Sequence, residues 1–92
     1  MKLTKYRQNN DDYIFSAVGS EIVLMNIESG DYFELNESAK EIWHMVEEPS
    51  SEESLIERLM SIYDVDLDTC TREVRDCLEK MLVGGMVLEQ ND

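Results

Sequence analysis

The chain is poor in the side chains that most chemistry requires. Among 92 residues it holds one histidine, two cysteines, one proline and four glycines, and only 8 basic residues against 21 acidic ones. The single histidine, His44, sits between core positions of a helical stretch with no cysteine nucleophile close in sequence, so it reads as a surface or boundary residue rather than a base. Carboxylates are plentiful, but no spacing singles out an acid/base pair. Four glycines do not make a phosphate-cradling loop, and no metal-ligand spacing exists. Cys70 and Cys77 are seven residues apart in a helical segment, which separates them by about 10 Å along the axis and beyond disulfide reach. Both read as core filling. No apolar run approaches the roughly 20 residues of a spanning helix, and no signal-peptide apolar core opens the chain. The expected location is cytoplasmic.

The scarcity of lysine and arginine excludes partners as well. Net charge is -13, and such a surface repels a phosphate backbone, which is held chiefly by Lys and Arg. It attracts basic partners and speeds their encounter, or serves solubility alone. Three of the basic residues, Lys2, Lys5 and Arg7, fall in the first ten positions, which hold no acid.

What is present suffices for one small domain. Apolar residues make up 42% of the chain, enough for a single modest core but leaving no room for a cofactor cavity beside a catalytic apparatus. Residues 1–12 read as a flexible basic arm or a poorly held first strand. Tyr13–Val18 and Glu21–Ile27 are β-prone around a Gly19–Ser20 turn. Ser29–Gly30 then sits between two alternating segments, the signal of a hairpin. Its second strand, Asp31–Leu35, places Phe33 and Leu35 on one face and Tyr32 and Glu34 on the other. With no obvious later strand to pair with, it lies at an edge, a physical socket for another extended peptide.

Helices follow. Asn36 is an N-cap, and Ala39, Ile42, Trp43 and Val46 form a helical face that runs to Pro49. Ser51 caps a second helix with an apolar stripe of Leu55, Ile56, Leu59, Met60 and Tyr63. After the acidic turn 64–68, a third helix buries Leu67, Cys70, Val74, Cys77, Leu78 and Met81. Arg72–Asp76, Arg75–Glu79 and Asp76–Lys80 are i,i+4 pairs on its wet side. Gly84–Gly85 stops it, and Met86–Leu88 forms a short extended tail that packs back or adds a last strand. Three strands followed by three helices indicate an α+β fold of winged helix-turn-helix type, with a three-stranded antiparallel sheet.

The run SGDYFELNESAKEIW between a strand and a helix-turn-helix that ends in LxxMLxGGMV resembles the PqqD-like family, the RiPP recognition elements. Gly30, Tyr32, Phe33, Leu35, Asn36, Ala39, Ile42 and Trp43 carry the likeness. Leu59, Tyr63, Val65, Val74, Leu78, Leu82, Gly85 and Val87 extend it over residues 13–89, with 90–92 left as a tail. The resemblance implies a module that is not an enzyme and needs no cofactor or metal. It implies binding of the leader of a ribosomally made precursor peptide, as a strand added to the third β-strand against the third helix. The precursor is thereby delivered to a modifying enzyme, a lasso-peptide leader peptidase or a radical-SAM maturase. The residues so implicated are Asp31, Tyr32, Phe33, Glu34 and Leu35 on the strand and Thr71, Val74, Arg75, Leu78 and Leu82 on the helix. Two readings stand for several of them. Phe33, Leu35, Val74 and Leu78 serve either as pocket floor or as plain core; Arg75 grips a leader carboxylate or only pairs with Glu79. Oligomeric state stays open between monomer and dimer. The competing reading is a winged-helix DNA-binding regulator, which the mixed charge of the third helix and the net charge disfavour.

Overall fold

The computed structural model describes residues 4–91. Nine elements follow in chain order: β1 (Thr4–Gln8), β2 (Tyr13–Val18), β3 (Glu21–Asn26), β4 (Tyr32–Leu35), α1 (Glu37–Met45), β5 (Ser50–Ser51), α2 (Glu52–Ile62), α3 (Leu67–Val83) and β6 (Val87–Asn91). They form an α+β fold with two three-stranded antiparallel sheets, ordered β2-β3-β4 and β5-β1-β6.

The first of these sheets is the expected meander. Its β3–β4 turn is built by Asn26, whose side-chain carbonyl accepts the amides of Glu28 (3.0 Å) and Ser29 (2.9 Å). Gly30 closes the turn at φ 76°, a left-handed conformation that favours glycine. Cross-strand rows then alternate between the faces: Phe15–Leu24–Phe33 and Ala17–Ile22–Leu35 point inward, Ile14–Met25–Tyr32 and Ser16–Val23–Glu34 outward.

The second sheet decides between the two readings of residues 1–12, in favour of a first strand. Over the described part of that segment the chain is not a flexible arm: β1 pairs with β6 from Thr4↔Asn91 to Gln8↔Val87, and with β5 through Lys5↔Ser51 and Tyr6↔Ser50. Residues 90 and 91, expected in a tail, belong to that ladder; positions 1–3 and 92 lie outside the described residues. The physical reason is polar as much as apolar. Gln8 is buried and donates its side-chain amide to the Trp43 carbonyl at 2.7 Å. The Asn9 backbone amide donates to the Met86 carbonyl (2.9 Å), its side-chain amide donates to the Gly85 carbonyl (2.8 Å), and the Tyr13 hydroxyl donates to the Gly84 carbonyl (2.6 Å). The β1–β2 corner thus clasps the C-terminal end of α3, where buried carbonyls need donors.

Asn36 and Ser51 cap α1 and α2 as the sequence announces, and Asp66, inside the expected acidic turn, caps α3. Side-chain oxygens of Asn36, Ser51 and Asp66 accept the amides of Ala39, Ser54 and Thr69. The backbone amide beside it holds the Asp66 carboxyl below its ordinary value, because it favours the charged form. At the end of α3, Met86 donates to the Met81 carbonyl and Gly85 to that of Leu82, with Gly85 at φ 75°, a Schellman closure. The core gathers Leu24, Ile42, Trp43, Val46, Leu55, Val74, Leu78 and Val87 between the sheets and helices. Four expected core residues lie further out: Leu67 and Met60 are exposed, and Tyr63 and Cys77 are half-buried.

Candidate functional site

The backbone of β4 determines what its free edge can offer. The amide of Asn26 donates to the Asp31 carbonyl and that of Ile27 to the Asp12 carbonyl, both at 2.9 Å. Antiparallel ladders alternate, so even-numbered residues of β3 bond toward β4 and odd-numbered ones toward β2. With Leu24 opposite Phe33 and Ile22 opposite Leu35, those two β4 residues are engaged with β3. Tyr32 and Glu34 therefore aim both N–H and C=O away from the sheet. Of the five strand residues singled out from sequence, these two carry the free ladder groups.

Beside that edge lies an open groove of about 410 Å³ between β4 and α3. Its floor is apolar, from Phe33, Leu35, Ala39, Cys77, Met81 and Met86, and its rim is charged, from Glu34, Glu73, Asp76 and Lys80. Phe33 keeps 36% of its surface exposed while its ring meets Tyr13 at 6.2 Å between centroids. One side of the ring thus meets the core residue Tyr13 and the other lines the groove. On the rim, Lys80 Nζ sits 3.2 Å from Asp76. Burial, with the Asp76 charge adding to it, pushes the Cys77 thiol up to about 11. A thiol that is protonated at neutral pH is an apolar filler, not a nucleophile.

The α3 wall differs from the one expected. Val74 and Leu78 are fully in the core. Thr71 and Arg75 line a separate cleft against α2, with Glu52, Ile56 and Met60. Arg75 Nε donates to Glu52 rather than pairing with Glu79. Leu82 lies with Tyr6, beside β1. None of these five residues lines the groove along β4, which α3 instead faces with Glu73, Asp76, Cys77, Lys80 and Met81. The apolar stripe of the helix marks the side it buries, and a groove wall must lie on the flank of that stripe. The spacing 73, 76, 77, 80, 81 is itself a helical face, and this was the signal available in sequence.

Solved structures share this fold. TbiB1 in complex with the TbiA(beta) leader peptide superposes with a TM-score of 0.79 at 25% identity, over 88% of this chain and 93% of that one. A lasso peptide synthetase B1 complexed with the leader peptide gives a TM-score of 0.79 at 23% identity, over 90% of this chain and 96% of that one, a likeness of fold. No curated protein matches the chain. The family model for coenzyme PQQ synthesis protein D (PqqD) matches residues 21–87, from the central strand of the meander to the first residue of β6. On that match the chain belongs to the PqqD family.

Proposed function

We propose that the protein binds the leader segment of a ribosomally made precursor peptide, which adds as a strand to β4 and lies in the groove against α3. The observation that carries this reading is the edge itself: Tyr32 and Glu34 present unpaired backbone groups along an apolar groove. Main-chain pairing supplies affinity and side-chain subsites supply selectivity. Ordering a flexible leader costs free energy, so two or three anchored apolar side chains must add to the ladder for binding to be net favourable. The guest-bearing strand residues are Asp31–Leu35, and the α3 partners are Glu73, Asp76, Cys77, Lys80 and Met81. Thr71, Val74, Arg75, Leu78 and Leu82 act at a distance, by holding α3 in place.

The role is non-catalytic. Tethering the precursor raises its local concentration at a modifying enzyme, a leader peptidase or a radical-SAM maturase, with no chemistry on this chain. The site of action is the cytoplasm; among the described residues no helix is long and apolar enough to cross a membrane. A DNA-binding role is disfavoured by the net charge and by α3, whose Arg75 is engaged with Glu52 and Lys80 with Asp76.

The test is a titration of isotope-labelled protein with synthetic leader peptides of candidate precursors, and separately with duplex DNA. Amide shifts at residues 31–35 and 73–81 with the leader are expected. Tight DNA binding with no leader response would contradict the proposal.

A further inference from the structure

The outward face of the meander is unusual for a sheet surface. A solvated antiparallel face normally carries polar side chains at its outward positions, yet here Ile14, Met25 and Tyr32 form one outward row, with Val23 in the next and Val18 beyond. Tyr32 is 71% exposed, Val18 63% and Ile14 48%. Together with Ser16 and Glu34 these side chains line a shallow depression that ends at the free edge of β4. Glu34 stands at that edge, and its cross-strand neighbours, Val23 and Ser16, carry no charge.

Any strand added to β4 extends these rows by one position each. The residues that pair with Tyr32 and Glu34 are the ones whose backbone groups meet theirs, and they share the outward face. The groove toward α3 receives only the alternate side chains. From this register we infer that the guest peptide is read on both faces: apolar side chains enter the groove, while outward an aromatic or aliphatic side chain continues the Ile14–Met25–Tyr32 row and, two residues away, a Lys or Arg pairs with Glu34. The occupant is thus an extended peptide with a basic outward position, in keeping with the acid excess of Asp31, Glu34, Glu73 and Asp76 over Lys80 around the edge. The inference rests on the strand-addition reading above and adds to it a second recognition surface with its own chemistry.

Random short peptides displayed on phage, selected against the whole protein and against a Glu34→Lys variant, test it. Glu34 is exposed, so the variant is expected to fold as the parent does, which circular dichroism checks. Binders to the parent should be enriched in Lys or Arg at one position and in an apolar residue two positions away. Binders to Glu34→Lys should carry Asp or Glu at the first position and keep the second. Swapping one charge in a selected peptide should weaken binding about fivefold, the size of one cross-strand pair, and swapping both partners should restore it. Binders that protect the Tyr32 and Glu34 amides yet show no charge preference, or none that inverts with the variant, would overturn the second surface and leave strand addition standing. Binders that leave those amides untouched would overturn both.

Discussion

In the sheet formed by the chain ends, β1 runs in the middle with β5 and β6 on either side, and the corner after it holds the end of α3 through Asn9 and Tyr13. In the meander, β4 is only four residues long, pairs among the described residues with β3 alone and turns the backbone groups of Tyr32 and Glu34 outward. Two sheets of equal strand number are thus put to opposite uses. The terminal sheet pairs β1 on both of its sides, and the buried Gln8 and Asn9 tie it to α1 and to the end of the helix that forms the groove wall. The meander leaves one ladder incomplete beside that wall. A binding edge is useful only if the opposite wall keeps its distance, so the sheet that anchors α3 supports the one that offers the edge.

The largest test removes the anchoring half. Deleting residues 1–8 takes away the central strand and exposes the Trp43 carbonyl, a loss comparable to the whole stability of about 5 kcal/mol expected of so small a domain. Urea titration followed by circular dichroism should show no cooperative transition. Gln8→Ala is the single-residue version. It leaves the buried Trp43 carbonyl without its donor and should cost about 1–3 kcal/mol in the same titration.

Glu34→Pro attacks the open half instead. Proline removes an outward N–H that β3 does not use and is tolerated on an edge strand. Stability should fall by less than about 1 kcal/mol, while leader affinity measured by calorimetry should drop about tenfold or more, the value of a lost ladder bond plus a steric block. Asn36→Ala removes the cap at the junction of β4 and α1 and should cost about 1 kcal/mol in urea. The smallest effect is at Cys77. Its thiol, raised to about 11, is protonated at neutral pH, so alkylation should be slow at pH 7 and accelerate as pH rises toward that value. A bound leader should slow it further by covering the groove floor.

Local features of the fold were legible in the sequence and long-range ones were not. The Ser29–Gly30 hairpin, the caps at Asn36 and Ser51 and the stop at Gly84–Gly85 are signals within a few residues, and each stands where the sequence puts it. The β1–β6 ladder joins Thr4 to Asn91, and neither TKYRQ nor VLEQN carries an apolar alternation that would announce it. The strand side of the candidate site was readable because the period of two sorts Tyr32 and Glu34 from Phe33 and Leu35. The helix side was harder to read, because hydrophobicity marks what α3 buries, Val74 and Leu78, rather than the mixed flank from Glu73 to Met81 that faces β4. Arg75 illustrates the same gap: its local partner Glu79 is visible in sequence, but Glu52, one helix away, is the one it meets.

Hydrogen exchange at the four amides of β4 tests the central claim most directly. In the free protein, Phe33 and Leu35 should be protected by β3, and Tyr32 and Glu34 should exchange freely. On saturation with the leader peptide, Tyr32 and Glu34 should become protected as well, while Phe33 and Leu35 change little. Leader binding that leaves Tyr32 and Glu34 in free exchange would contradict strand addition at this edge.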